Sequence, residues 1–408
     1  MHQNLLPKPL YDKVDNMFFS QAGLGKTEES IKKGSIMPHI DKQMVSFFLT
    51  TKCNLCCEYC YNIDQRAHMQ EKTLSFEVAK AGLDYYFSHN GNPHIRFYGP
   101  GEPTREFALL KRITEYAKTI SKKPLVFEMQ TNGCFSMPVC NWLLKNANIL
   151  WISFDGEAQD HDKNRHFPNG APSSIIIERN VKYLLANKKD SNLMVGARVT
   201  ITDTNINRQR EIVDYFHTLG IKHVWTDPLF PSVGSIPVCQ DAEKQKGYHF
   251  DMETYVDNYI KAYHYAQEKD MFYGSILMCN FDGKCTMHCR ACLPAMHFTP
   301  DGYISACDMV TFGENANHMD CFVYGKWNNE KKGFEFDKNK IEALQNRSIE
   351  NMPHCKQCTA AEHCGGYCLG EVVNETGSLL GQKKITCDAI RKLYCVLGET
   401  NSYPYLHP

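Results

Sequence analysis

No stretch of this 408-residue sequence approaches the roughly 20 consecutive apolar residues that a membrane span needs. The opening segment, Met1 to Phe19, also lacks the apolar core of a secretory signal. Together these lacks give a cytoplasmic expectation with no membrane partner. Neither charge is in surplus: 45 Lys and Arg stand against 46 Asp and Glu, a net of −1, so nothing in the balance points to nucleic acid. Disulfides are not expected either, because a reducing compartment keeps thiols reduced. What the chain does have is 19 cysteines, which in that setting point to metal binding or redox chemistry. Its 43% apolar content suffices to bury a core across one large domain and a smaller one.

From about residue 44 to 230, short β-branched or aromatic runs alternate with helical patterns, the signature of βα units around a parallel sheet. The runs predict six strands: Met44–Thr51, His94–Gly99, Leu125–Asn132, Ile149–Asp155, Leu193–Ile201 and His223–Phe230. Helical stretches between them include Ser75–Ser88, Phe107–Ile120, Ile175–Ala186 and Arg208–Leu219. Six units suit an open, partial (β/α)6 barrel rather than a closed one, with functional residues at the C-terminal strand ends. A Pro/Gly loop, Pro231–Pro237, then leads to a helix over Met252–Lys269 and a region dense in Cys and Gly. The expected division is an N-terminal extension (1–43), the α/β partial barrel (44–235), a helical linker (236–279) and a small Cys-rich domain (280–408).

Directly after the first strand, Cys53, Cys57 and Cys60 form C-x3-C-x2-C. Three thiolates can hold a 4Fe-4S cluster and leave one iron without a protein ligand. That open iron can chelate the amino and carboxylate groups of S-adenosylmethionine (AdoMet), whose reductive cleavage gives a radical strong enough to take hydrogen from an unactivated carbon. Zinc knuckles usually supply paired C-x2-C units and a fourth ligand nearby, whereas this triad sits in the loop after a first barrel strand. Cys56 reads as a buried neighbour rather than a ligand.

With Tyr59 in its aromatic position, the motif resembles that of the radical AdoMet (radical SAM) superfamily over about residues 44 to 230. The resemblance implies that Tyr59 contacts the adenine. It also implies that Gly101, Glu102 and Pro103, in Gly99-Pro100-Gly101-Glu102-Pro103, bind the AdoMet amino group, although Pro100 departs from the family's Gly-Gly-Glu-Pro. The segments Gln130-Thr131-Asn132-Gly133 and Ser153-Phe154-Asp155-Gly156 resemble family segments near the ribose, and Ser153 is the candidate contact. Arg179 suits a planar carboxylate partner such as that of AdoMet, and equally suits a solvated surface position.

The far half holds Cys292-x9-Gly302-x4-Cys307, then Cys355-x2-Cys358-x5-Cys364-x3-Cys368, and Cys387. Seven ordered cysteines can supply most of the ligands for two further 4Fe-4S clusters; a pair of zinc ribbons is the competing use of C-x2-C. The spacing resembles the SPASM domain of sulfatase-maturating enzymes and peptide maturases. That resemblance implies Cys292, Cys307 and Cys368 on the nearer auxiliary cluster and Cys355, Cys358, Cys364 and Cys387 on the farther one. Cys285 and Cys289 both offer a fourth nearer ligand, and the family spacing favours Cys285. Asp308, after Cys307, matches an Asp that accepts the substrate proton in sulfatase-maturating enzymes, and a turn-capping Asp is the plainer alternative. Cys134, Cys140, Cys239, Cys279, Cys321 and Cys395 fit neither pattern and are expected as buried thiols.

The expected chemistry is therefore radical modification of a peptide or protein residue, with three 4Fe-4S clusters and AdoMet as cofactors. Crosslinking of side chains in a ribosomally made peptide is favoured; formylglycine formation in a sulfatase, supported by Asp308 and His161-Asp162-Lys163-Asn164-Arg165, is the alternative. A small-molecule radical dehydrogenase would usually carry one auxiliary cluster. Expected partners are the substrate and an electron donor such as flavodoxin or ferredoxin. The N-terminal extension is too short for a winged-helix leader-binding domain, which leaves leader recognition to a separate protein or an edge strand.

Overall fold

The computed structural model describes residues 40–62, 71–188, 191–230, 250–314 and 316–400. Most of the N-terminal extension, the loop after Phe230 and Cys239 lie outside the described residues. All six expected strands form, each trimmed at its ends: β1 Val45–Phe48, β2 His94–Tyr98, β3 Val126–Thr131, β4 Ile149–Ser153, β5 Met194–Ile201 and β6 His223–Pro228. Helices alternate with them: α1 Phe76–Ser88, α2 Phe107–Ile120, α3 Met137–Asn146, α4 Ser174–Asn187 and α5 Gln209–Leu219. Ser75 caps α1 by accepting from the Val78 N–H, the usual device for an orphan first-turn donor.

The sequence did not reveal that the sheet continues at both ends. After α6 (Met252–Glu268), β7 (Phe272–Gly274) adds parallel to β6, and β8 (Met296–Phe298) adds parallel to β1. Antiparallel strands β9 (Tyr303–Ser305), β10 (Val323–Asn328) and β11 (Gly333–Phe336) extend the β8 side. The result is one 11-stranded sheet in the order β11-β10-β9-β8-β1-β2-β3-β4-β5-β6-β7. Its parallel part stays open, since β7 and β8 are not neighbours, which is compatible with a partial barrel.

The two faces of this sheet differ in chemistry. Side chains alternate along a strand, and Val45, Phe47, Ile95, Phe97, Phe127, Met129, Leu150, Ile152, Ala197 and Val224 all share one buried, apolar face. The opposite face carries Arg96, Tyr98, Glu128, Gln130, Ser153, Arg198 and Asp227, in register across β2 to β6. Burying such charges is costly unless they are paired, so an inner face of this kind marks a binding lumen rather than a core. No described helix is long and apolar enough to cross a membrane.

Candidate active site

The loop after β1 is held over the C-terminal strand ends by backbone bonds. The Cys56 and Glu58 N–H groups donate to the carbonyls of His166 (2.8 Å) and Asn164 (2.9 Å). Asn132 donates to Asn54 Oδ1 (2.8 Å), and Asn54 donates to the Cys134 carbonyl (2.8 Å), which ties the loop to the end of β3. Gly101 is required here: a Cβ would lie 2.3 Å from the Lys52 carbonyl oxygen, so only glycine lets the loop after β2 pack against the loop after β1.

Cys53, Cys57 and Cys60 line a cavity together with Tyr59, Gly101, Glu102 and Ser153. Pro103 does not line it; it is buried behind, starting the 3-10 turn Pro103–Glu106. Glu102 is buried, and its carboxylate accepts from Thr104 N (3.1 Å), Thr104 Oγ1 (2.7 Å), Thr131 Oγ1 (2.7 Å) and Asn132 N (2.7 Å). Glu102→Gln turns one acceptor into a donor against these groups and should cost about 2 kcal/mol. An unchanged urea midpoint would show that this network does not brace the site.

Asp155 organises the other wall. Fully buried, it accepts from the Tyr59 hydroxyl and Arg165 Nε (3.0 Å) at one oxygen and from Thr200 N (2.9 Å) at the other. The Arg165 guanidinium lies 5.0 Å from the Tyr59 ring centroid. Burial keeps the Tyr59 hydroxyl protonated well above its ordinary range, which suits its donor role. Burial also pushes the Cys57 thiol up to about 12, against the pull of Arg165.

A second cavity is lined by Cys289, Cys307, Asp308 and Cys368. It shares Tyr61, Tyr98, Gln130, Arg198, Asp227 and Phe230 with the first, so the two adjoin along the polar face of the sheet. Arg96 pairs with Asp308 while its Nε donates to Ser46 Oγ (3.1 Å), and His297 Nε2 lies 3.5 Å from the same carboxylate. Burial alone would raise the Asp308 carboxyl, but Arg96, with His297 and Arg290 behind it, overrides this and holds it at about 2. At the junction, the Arg198 guanidinium lies 5.3 Å from the Trp225 ring and 3.4 Å from Asp227.

A third cavity, in the C-terminal region, is lined by Cys355, Cys358, Cys364 and Cys387. The structure thus groups the expected farther set of four in one place.

Several expectations need correction. Cys289, not Cys285, joins Cys307 and Cys368. Cys289 caps the 3-10 turn Arg290–Cys292, and in such a turn residues three apart eclipse, bringing Cys289 and Cys292 to the same side. Cys285 instead lies where its N–H donates to the Glu362 carbonyl (2.6 Å). Arg179 is not at the cavity; its guanidinium donates to the neighbouring Asn180 Oδ1 (3.0 Å), and the cavity's arginines are Arg165 and Arg198. Cys56 is exposed, because the backbone bonds of its loop turn it outward. Cys395 is exposed too: the last helix, Lys384–Leu397, buries Thr386, Ala389, Ile390 and Leu393, and Cys395 falls off that stripe. Cys321 is only partly buried, whereas Cys134, Cys140 and Cys279 are buried as expected.

The sequence reading missed Arg96, Glu128, Arg198 and Asp227 as lumen residues. A signal existed, since each is a charge inside a strand of the parallel sheet, where buried strands are mostly apolar.

No protein-family model matches the chain. An uncharacterised protein of Methanocaldococcus jannaschii is 30% identical over 185 residues, 45% of this chain and 61% of that protein's length. The serine-type anaerobic sulfatase-maturating enzyme of Bacteroides thetaiotaomicron is 22% identical over 348 residues, 78% of this chain and 80% of the enzyme. Among solved structures, anSMEcpe with bound AdoMet and Kp18Cys peptide superposes with a TM-score of 0.65 at 17% identity, over 86% of this chain and 96% of the other. SuiB of Streptococcus suis bound to precursor peptide SuiA gives 0.58 at 14% identity, over 92% of this chain and 88% of the other. In sequence the chain is similar to anaerobic sulfatase-maturating enzymes, and its fold is similar to those of anSMEcpe and SuiB.

Proposed function

We propose that this chain is a radical AdoMet enzyme that modifies a residue of a peptide or protein. The observation that carries the reading is the grouping of cysteines around adjoining cavities on the polar face of one sheet: three thiols in the first, three plus the adjacent Cys292 in the second. The donor sets fit iron–sulfur clusters. Among the described residues no three His, Cys, Asp or Glu side chains are arranged for a single metal ion; the thiols border cavities, as ligands to the irons of a cluster must.

Cys53, Cys57 and Cys60 would hold the cluster that binds AdoMet, Cys289, Cys292, Cys307 and Cys368 a second, and Cys355, Cys358, Cys364 and Cys387 a third. When bound, these groups supply a hydrogen-abstracting radical and a path for the electron that the substrate gives up. The chain's own part is to hold and orient. Tyr59, Glu102 and Ser153 line the AdoMet side, Arg165 and Asp155 fix the loop above it, and Asp308, held by Arg96, faces the substrate as proton acceptor. An external donor of the flavodoxin or ferredoxin type would supply electrons.

Side-chain crosslinking in a ribosomally made peptide is the reading we favour, because the lumen carries further charge and aromatic surface for a second side chain. Formylglycine formation is the second reading, favoured by the sequence similarity that spans 78% of the chain. Anaerobic reconstitution should give about twelve irons per chain, whereas about eight would point to one auxiliary cluster. Incubation with AdoMet and a short peptide encoded beside this chain should give 5′-deoxyadenosine and a peptide lighter by two hydrogens. A product that couples to a hydrazide is an aldehyde and supports formylglycine; an unreactive one supports the crosslink. AdoMet left intact under reducing conditions would sink both.

A further inference from the structure

Three arginines are buried among the described residues, and two of them have an evident reason to be there. Arg96 is paired with Asp308, and Arg290 with Asp41 at 2.8 Å. The third, Arg347, is 1% exposed, and its hydrogen bonds run to neutral atoms: Nη2 to the Gly366 carbonyl (2.5 Å) and Nη1 to the Met352 thioether. Its Nε has no hydrogen-bond partner among the described residues. An ion removed from water without a counter-charge costs several kcal/mol, so the location needs an anion that the polypeptide itself does not supply.

The surroundings indicate which anion. Gly366 lies between Cys364 and Cys368 with φ of +90°, which favours glycine, and a Cβ there would sit 2.3 Å from Arg347 Nη1. Met352 packs with Cys355 and Cys358. The guanidinium is thus anchored to the segments that carry both auxiliary cysteine sets.

We infer that Arg347 is a shared counter-charge for the two auxiliary clusters, and that its fixed positive charge raises the reduction potential of at least one of them. The inference rests on the cluster assignment proposed above. A 4Fe-4S core with four thiolates is an anion, and one electron taken from an external reductant adds one negative charge. A buried cation therefore favours the reduced form, and hydrogen bonds and nearby charge are established means by which proteins tune such clusters.

The test uses the full chain carrying Cys53→Ala, Cys57→Ala and Cys60→Ala, so that only the auxiliary clusters remain, reconstituted anaerobically and titrated with dithionite and mediators under EPR detection. This parent should hold about eight irons; a parent without auxiliary signals would sink the cluster assignment before Arg347 is changed. In that background Arg347→Gln should shift at least one potential to more negative values by 59 mV or more, a tenfold change in the one-electron equilibrium. Arg347→Lys, which keeps the charge, should stay with the parent. Unchanged potentials in Arg347→Gln with full iron would overturn the inference, as would an equal shift in both variants. If Arg347→Gln fails to hold its iron, Arg347→Lys decides: iron retained with parental potentials supports the role of charge, and iron lost overturns it.

Discussion

Cys57→Ala is expected to abolish AdoMet cleavage, with 5′-deoxyadenosine falling to the detection limit, while Cys56→Ala, one residue away, keeps it. The contrast follows from where the two side chains go. Cys57 lines the first cavity with Cys53 and Cys60, and Cys56 is exposed on the far side of the same loop. A cluster held by three thiolates has no spare ligand, so removing one should also lower the iron content by about four per chain. Because Cys56 is adjacent in sequence, the pair controls for any general damage to the loop. Unchanged turnover in Cys57→Ala would overturn the assignment of the first cysteine set, and equal loss in both variants would show that the loop, not the ligand, is at fault.

What could be read from the sequence follows a physical line. The six strands announced themselves because each has at least four residues with an apolar alternate face, long enough for periodicity to register. Strands β7, β8 and β9 have three residues each, below that limit, and so the continuity of the sheet into the Cys-rich region stayed hidden. Cysteine spacing gave the sets but not the choice between Cys285 and Cys289, which depends on a 3-10 turn that leaves no period in the sequence. The same holds for Arg179 and Arg165. Both are arginines near a motif, and only the tertiary position of Asp155 turns one of them toward the cavity.

Asp155 also gives the largest expected loss of stability. Its carboxylate is the counter-ion of Arg165, whose side chain is 11% exposed, and it takes a further bond from the Tyr59 hydroxyl, between Cys57 and Cys60. Asp155→Ala strands a buried guanidinium and should cost about 3–5 kcal/mol, read as a lower urea midpoint of the metal-free chain. Asp155→Asn keeps an acceptor for the Thr200 N–H but not the charge, and should fall between the two. With Tyr59 released, the loop over residues 53–60 loses its tie to β4, so iron loading at the first site should fall in parallel. A second substitution separates charge from packing: Arg165→Met in the Asp155→Ala background removes the stranded ion and should recover part of the loss, since the effects of paired groups do not add. Were Asp155→Ala to unfold within about 1 kcal/mol of the parent, the pair would be no more than a surface contact. The cysteine loop would then owe its position to the backbone bonds from Cys56 and Glu58 and to the Asn54 bonds with Asn132 and Cys134.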